Sequence, residues 1–366
     1  MTTIWPAFFN KLSDKQKKFA ITKAGMNFLF RFLFKKGHHL FIIGTSGSGK
    51  TQKAYWLANW IRHTRETVVW IDSAKNREMI PLLALGSPIR IICPKGCDVV
   101  LTEWSDDDHK YVRMKHHPEV IQVPDPGSVW WAVKRGCINI FCFRVAFSHE
   151  SEARAWMGEM FSTMSQWIKT HRMPKIMPFA LFGDESHWFL AGEKITTDEE
   201  RRKLSEMITE LSLEDRAHGV RLVLMAQSHK SLPPASRENM IHNLVCRGCK
   251  VSAEENNTLS PYNAYSSKYQ PNQGVFVYEG GYAYPANEDG TGYPWPFPFF
   301  PMPKIRIEYH GEFDKPTQDR IAEEEIAEEM IAPLDKYQGV AASLEGYEIP
   351  GNPTRYEVIR NVEDTT

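Results

Sequence analysis

Eight consecutive residues, Gly44-Thr45-Ser46-Gly47-Ser48-Gly49-Lys50-Thr51, constrain this chain more than any other feature. They fit the spacing G-x-x-x-x-G-K-[ST], in which glycines let the backbone curl so that successive N–H groups converge on an anion. The lysine of such a loop reaches the β- and γ-phosphates, and the hydroxyl after it can ligate Mg²⁺. All eight residues are therefore candidate ligands of a nucleoside triphosphate, ATP, and Thr51 is also a candidate metal ligand. The flanks agree. His39-Leu40-Phe41-Ile42-Ile43 is an apolar run of strand length, and Gln52 to Thr64 carries Ala54, Leu57, Ala58 and Ile61 on one helical face. Strand, glycine loop and helix in that order place the anion at a helix N-terminus. A chance Gly/Ser turn followed by Lys-Thr is the bland alternative, and these flanks weigh against it.

Downstream, short apolar runs alternate with amphipathic stretches. Strands are expected at Thr67-Val68-Val69-Trp70-Ile71-Asp72, Ile89 to Cys93, Val120 to Val123, Ile138 to Phe143, Phe179 to Phe182 and Val220 to Met225. Helices are expected from about Ser151 to Thr170, burying Ala153, Trp156, Met157, Met160, Phe161, Met164 and Trp167, and from about Asp198 to Leu213. This order predicts an α/β fold with a predominantly parallel sheet covered by helices on both faces.

Two further stretches belong with the loop. Phe179-Ala180-Leu181-Phe182-Gly183-Asp184-Glu185 is an apolar strand ending in paired carboxylates, the form of a Walker B motif. Asp184 would hold the Mg²⁺ complex, and Glu185 would orient and deprotonate an attacking water. The adjacent glutamate favours hydrolysis, because an enzyme that must exclude water has no need of a base there. One strand later, Gly219-Val220-Arg221-Leu222-Val223-Leu224-Met225-Ala226-Gln227-Ser228 ends in an amide, and Gln227 is a candidate sensor of γ-phosphate and water.

Beyond these motifs the chain is less specific. Apolar residues at 42 % and charged residues at 24 % fit a soluble globular protein. The net charge of −1 conceals an asymmetry: Gly311 to Thr366 holds fourteen acidic against five basic residues, leaving a mildly basic body. Such a body is compatible with nucleic acid without establishing it. No signal peptide is recognisable at the N-terminus. The segment Phe28 to Phe34, cut by Arg31, is too short to span a bilayer, and peripheral membrane contact is its alternative use. The six cysteines include Cys246-Arg247-Gly248-Cys249 and Cys93-Pro94-Lys95-Gly96-Cys97, spacings open to zinc, yet most sit in or beside strands as ordinary core residues. A polar insert, residues 102–117, reads as a solvated loop, with a nucleic-acid-facing loop or hairpin as the alternative. The proline- and aromatic-rich stretch Tyr282 to Pro303 reads as extended surface chain, packed on its own domain or docked on a neighbouring subunit. The expected organisation is an N-terminal amphipathic segment (1–36), a P-loop domain (37–309) and an acidic tail (310–366).

The stretch from Asp215 to Pro233 resembles the FtsK/HerA superfamily of hexameric DNA-pumping ATPases: an arginine-bearing helix end, a hydrophobic strand and an A-x-Q-x-x-x-x-L-P sensor. Asn243-Leu244-Val245-Cys246-Arg247, Ala253-Glu254-Glu255-Asn256 and Gln270 to Val277 are similar to its later elements, with Asn-Gln where proline is usual. The resemblance runs from roughly Gly37 to Tyr309. It implies a RecA-like P-loop fold, ATP and Mg²⁺ as cofactors, double-stranded DNA as partner and a homo-oligomeric, hexameric ring. Arg216 matches the position that reaches across a subunit boundary as an arginine finger, with a surface arginine at a helix end as the alternative. The early P-loop and the tail are most like a viral genome-packaging ATPase. That implies a host-cytoplasmic or virion-associated protein, with a capsid, portal or membrane partner available to the tail or the N-terminal segment. A filamentous-phage assembly or secretion ATPase of the zonula occludens toxin type is the second reading, and a nucleotide switch with little turnover the third.

Overall fold

The structure, a computed structural model, describes residues 38–63, 66–72, 79–83, 88–143, 146–147, 149–170, 178–186, 190, 198–213, 219–278, 282–284, 294–297 and 303–311. The expected segment 1–36, Arg216 and all of the tail beyond Gly311 lie outside these residues.

Near-continuous apolar runs form parallel strands buried on both faces, except at the sheet's edge, where β6 is largely exposed or half-buried. In chain order these are β1 (Leu40–Ile43), β2 (Thr67–Ile71), β3 (Ile89–Pro94), β6 (Glu119–Val123), β7 (Ile138–Phe141), β8 (Phe179–Gly183), β9 (Val220–Ala226) and β10 (His242–Cys246). They pair in the order β10-β1-β9-β8-β2-β7-β3-β6, every pair parallel. Beyond β10 the sheet continues antiparallel through β11 (Gln273–Tyr278) and β12 (Tyr282–Tyr284), with β13 (Trp295–Pro296) also on β11.

Alternation along each strand feeds two cores. Phe41, Ile43, Leu222 and Leu224 face one side, where α2 (Glu150–Lys169) and α3 (Glu199–Leu213) pack. Leu40, Ile42, Val223 and Met225 face the other, beneath α1 (Lys50–His63). The expected stripe of α2 is buried at Ala153, Met157, Met160, Phe161 and Met164, while Trp156 and Trp167 lie partly exposed at its edges. These features are those of the RecA-like P-loop NTPase fold.

The solvated-loop reading of the insert is corrected, and the hairpin of its alternative is what forms, from β4 (Cys97–Ser105) and β5 (Lys110–Arg113) paired antiparallel. Val99 and Leu101 alternate inward onto the α1-side core, which is why the chain pairs there instead of staying solvated. Near the expected boundary at Tyr309, the chain is still in a strand as far as Gly311. A last strand, β14 (Ile305–Gly311), pairs with β4 along its full length and buries Ile307 in the same core. Of the proline-rich stretch, Phe297 packs on its own domain, buried between Trp56 and Phe276.

At the end of the sheet away from the glycine loop, Arg221 and Glu66 form a buried ion pair, at 1 % and 6 % side-chain exposure. Arg221 Nε donates to Glu66 Oε2 at 3.0 Å, Nη2 to Oε1 at 2.8 Å, and Nη1 to the His38 carbonyl at 2.7 Å.

Candidate nucleotide site

Gly44 to Gly49 turn the chain from β1 into α1, so the loop sits at the C-terminal edge of the parallel sheet. At the N-terminus of α1 the first N–H groups have no intrahelical partner, which suits an anion. Gly49 has φ of +72°, and a Cβ there would meet the Pro271 carbonyl oxygen at 2.4 Å, so only glycine fits. Two neighbouring segments hold the loop from behind. Thr45 N–H and Oγ1 both donate to the Arg247 carbonyl, at 3.3 and 3.2 Å. Pro271 backs Gly49. Lys50 Nζ lies against the loop, donating to the carbonyls of Gly44 and Thr45 at 3.0 Å each.

The sheet register brings the other expected residues to the same edge. Ile43 is level with Ala226, so Gln227, the next residue of that strand, is level with Gly44. Gly183 is level with Leu224, so Asp184 and Glu185 follow on the neighbouring strand. The strand carrying Gln227 therefore lies between the loop strand and the carboxylate strand. Thr51 Oγ1 donates to Asp184 Oδ2 at 2.6 Å, joining residues 133 positions apart. A hydroxyl beside a buried carboxylate is a hard-oxygen donor set, and it fits Mg²⁺. Glu185 is half-buried and adopts φ of +45°, a left-handed conformation rare outside glycine. Its N–H donates to Asp184 Oδ1 at 2.8 Å. Gln227 is exposed.

Two residues of the site escaped the sequence reading. Asp72 follows β2 immediately, and because Ile71 is level with Gly183, it lies beside Asp184. It is 5 % exposed, and the Cys142 thiol points to its Oδ2 at 3.7 Å. The signal was present, since Thr67 to Asp72 is an apolar strand ending in a carboxylate just as β8 is. Lys53 is fully buried on α1, behind the loop; burial lowers its pKa, partly offset by the nearby Cys246 thiol. Its only sequence signal was a charge on a helix whose other residues face inward.

The cysteines are buried and unpaired, and no metal-holding cluster of His, Cys, Asp and Glu occurs among the described residues. Of the basic residues that could meet a polyanion, Lys110 and Arg113 are exposed on the hairpin and Lys115 just after it, but Asp106, Asp107 and Asp108 form its tip. Arg306 of β14 stacks on Tyr111 at 4.0 Å, and Lys304, just before that strand, lies 5.7 Å from Trp104, clamping the hairpin to β14. Lys230 pairs with Glu255 at 3.1 Å. No described helix is long and apolar enough to cross a membrane.

Sheet order, glycine loop and carboxylate strand together define a P-loop NTPase fold. No protein-family model and no curated protein matches the chain. Among solved structures, it is similar to ATPases 2 and 3 of EccC from Thermomonospora curvata, in complex with a signal sequence peptide. The identity is 13 %, over 82 % of this chain and 44 % of that one, with a TM-score of 0.43. It is also similar to the genome packaging NTPase B204 of Sulfolobus turreted icosahedral virus 2, in complex with ATP-gammaS. That match has 12 % identity over 75 % of this chain and 97 % of the other, at a TM-score of 0.40. A third is EssC (ATPases 2 and 3) from Geobacillus thermodenitrificans, at 11 % identity over 81 % and 46 % of the two chains and a TM-score of 0.37. The chain thus spans less than half of the EccC and EssC chains it matches. At such scores, activity has to be read from this chain's own site.

Proposed function

We propose that this protein hydrolyses ATP and couples hydrolysis to movement of double-stranded DNA, as a motor of the FtsK/HerA type that packages a viral or mobile-element genome. The observation that carries the enzymatic part is the 2.6 Å contact between Thr51 of the glycine loop and Asp184 of the carboxylate strand, with Glu185 beside it. N–H groups of Gly44 to Thr51 would hold the phosphates, and Lys50 would offset their charge. Thr51 and Asp184 would hold Mg²⁺, which supplies positive charge to the phosphoryl group. Glu185 would orient the attacking water and take its proton, and Gln227 would sense the γ-phosphate from the strand between.

The DNA part is supported by the resemblance around Gln227 and by the basic body of the chain. Exposed Lys110, Arg113 and Lys115 are its candidate phosphate contacts, sequence-independent as a translocase requires. A head-to-tail ring, hexameric in this reading, would bring Arg216 of one subunit to the next subunit's nucleotide. The acidic tail would stay outside the DNA path and meet a protein partner.

Paired variants test the site. Lys50→Ala should abolish tight ATP binding. Glu185→Gln should bind ATP and fail to hydrolyse it, since an amide takes no proton from water. Near-normal turnover by Glu185→Gln would move the base elsewhere, with Asp72 the next carboxylate on that edge.

A further inference from the structure

Lys53 is 0 % exposed, one helical turn beyond Lys50. Burying an ammonium is costly unless each of its protons finds an acceptor. Here three carbonyls receive it: Ser48 and Pro271 at 2.8 Å, and Gly49 at 3.3 Å. Two belong to the glycine loop, and the third belongs to the turn that backs Gly49. The passage for this side chain is built by two other residues. A Cβ on Gly274 would sit 3.2 Å from Lys53 Cε, so glycine leaves the room, and the Phe297 ring covers the ammonium at 5.7 Å.

The peptide geometry gives this arrangement a consequence. In a trans peptide, the carbonyl of one residue and the N–H of the next point in opposite directions. The Gly49 carbonyl also accepts the backbone N–H of Lys53 at 3.1 Å, as the first turn of α1 requires, whereas the Ser48 carbonyl takes the ammonium; drawing that carbonyl inward turns the N–H of Gly49 outward. That is a donor a phosphate would meet at the start of α1.

We propose that Lys53 is a positioning residue of the nucleotide site, a second lysine that acts from behind the loop by fixing the direction of the Gly49 N–H group and by tying the loop to the Pro271 turn. This inference rests on the nucleotide-binding reading above and assigns it a determinant outside the loop motif. It also makes the Pro271 turn part of the site, because one ammonium ties that turn to the loop.

The test compares Lys53→Met, close in volume but without donors, with wild type and Lys50→Ala. Binding of ATP and ADP carrying a fluorescent ribose label would be titrated, and the thermal midpoint measured without nucleotide. Lys53→Met should weaken ATP and ADP by a similar factor, about tenfold or more, because the misdirected donor serves a phosphate common to both. Its nucleotide-free midpoint should fall by a few degrees, since the Ser48 and Pro271 carbonyls lose their donor, so binding is compared at a temperature where both proteins are folded. Should Lys53→Met not fold, Lys53→Gln reads the same role, because its amide has fewer donors than the three carbonyls need, and it should weaken both nucleotides too. A folded variant that binds both within twofold of wild type, while Lys50→Ala loses binding, overturns this inference and leaves the nucleotide reading intact. Wild type that binds neither nucleotide overturns both.

Discussion

Glu185 offers a test in which backbone and chemistry separate. Its φ of +45° puts a side chain where the Cβ crowds the following carbonyl, at a cost of about 1–2 kcal/mol. Glu185→Gly and Glu185→Ala remove the same carboxylate and every contact it makes, so the difference between them is a backbone quantity. Glycine escapes the left-handed cost, while its extra freedom in the unfolded chain costs about 0.5–1 kcal/mol. The first term is the larger, so we predict that Glu185→Gly is more stable than Glu185→Ala by about 0.5–1 kcal/mol. At an ordinary φ the order would be reversed. Urea unfolding midpoints without nucleotide would read the sign, and ATP turnover should be lost in both variants. An alanine variant as stable as or more stable than the glycine variant would refute the strained turn. Full turnover in either would refute the role of the carboxylate.

Other outcomes follow from groups away from the loop. Glu66→Ala leaves the Arg221 guanidinium buried without its bidentate partner and should cost about 3–5 kcal/mol by chemical denaturation; a loss below about 1 kcal/mol would show that the pair is effectively solvated. Burial raises the thiols of Cys93 to about 12, Cys97 to about 11 and Cys249 to about 12, against an ordinary 9.0. Native protein at pH 8 should therefore resist alkylation at these positions that the urea-unfolded chain accepts. Because unfolded thiols ionise first, stability should fall as pH rises above 9, and rapid native labelling would contradict the burial.

Much of this architecture was legible because its signals are local. A glycine loop between an apolar strand and a helix, and a strand ending in Asp184-Glu185, each need only a few neighbouring residues to be recognised. Most of the parallel strands were equally plain, because burial on both faces demands continuous apolar runs, whereas β10, opening with His242 and Asn243, showed only through the family resemblance. The hairpin was legible only as an alternative, since Val99 and Leu101 face the core while Asp98, Lys110 and Arg113 are exposed, and its pairing with β14 joins residues two hundred positions apart. Register at the sheet edge was also hidden. Asp72 becomes part of the site only when Ile71 is level with Gly183. Lys53 becomes part of it only when Pro271, far along the chain, closes behind Gly49. Such contacts come from tertiary pairing, which periodicity and composition do not encode.

The central claim, an ATPase that works on DNA, is tested most directly by the steady-state rate of ATP hydrolysis with and without double-stranded DNA of mixed sequence, at matched low salt. Wild type should hydrolyse ATP and be stimulated several-fold by DNA whatever its sequence. Stimulation should fade as salt screens the phosphate contacts, and Glu185→Gln should stay inactive throughout. Hydrolysis indifferent to DNA would contradict the motor reading, and a wild type without turnover would contradict the enzyme itself.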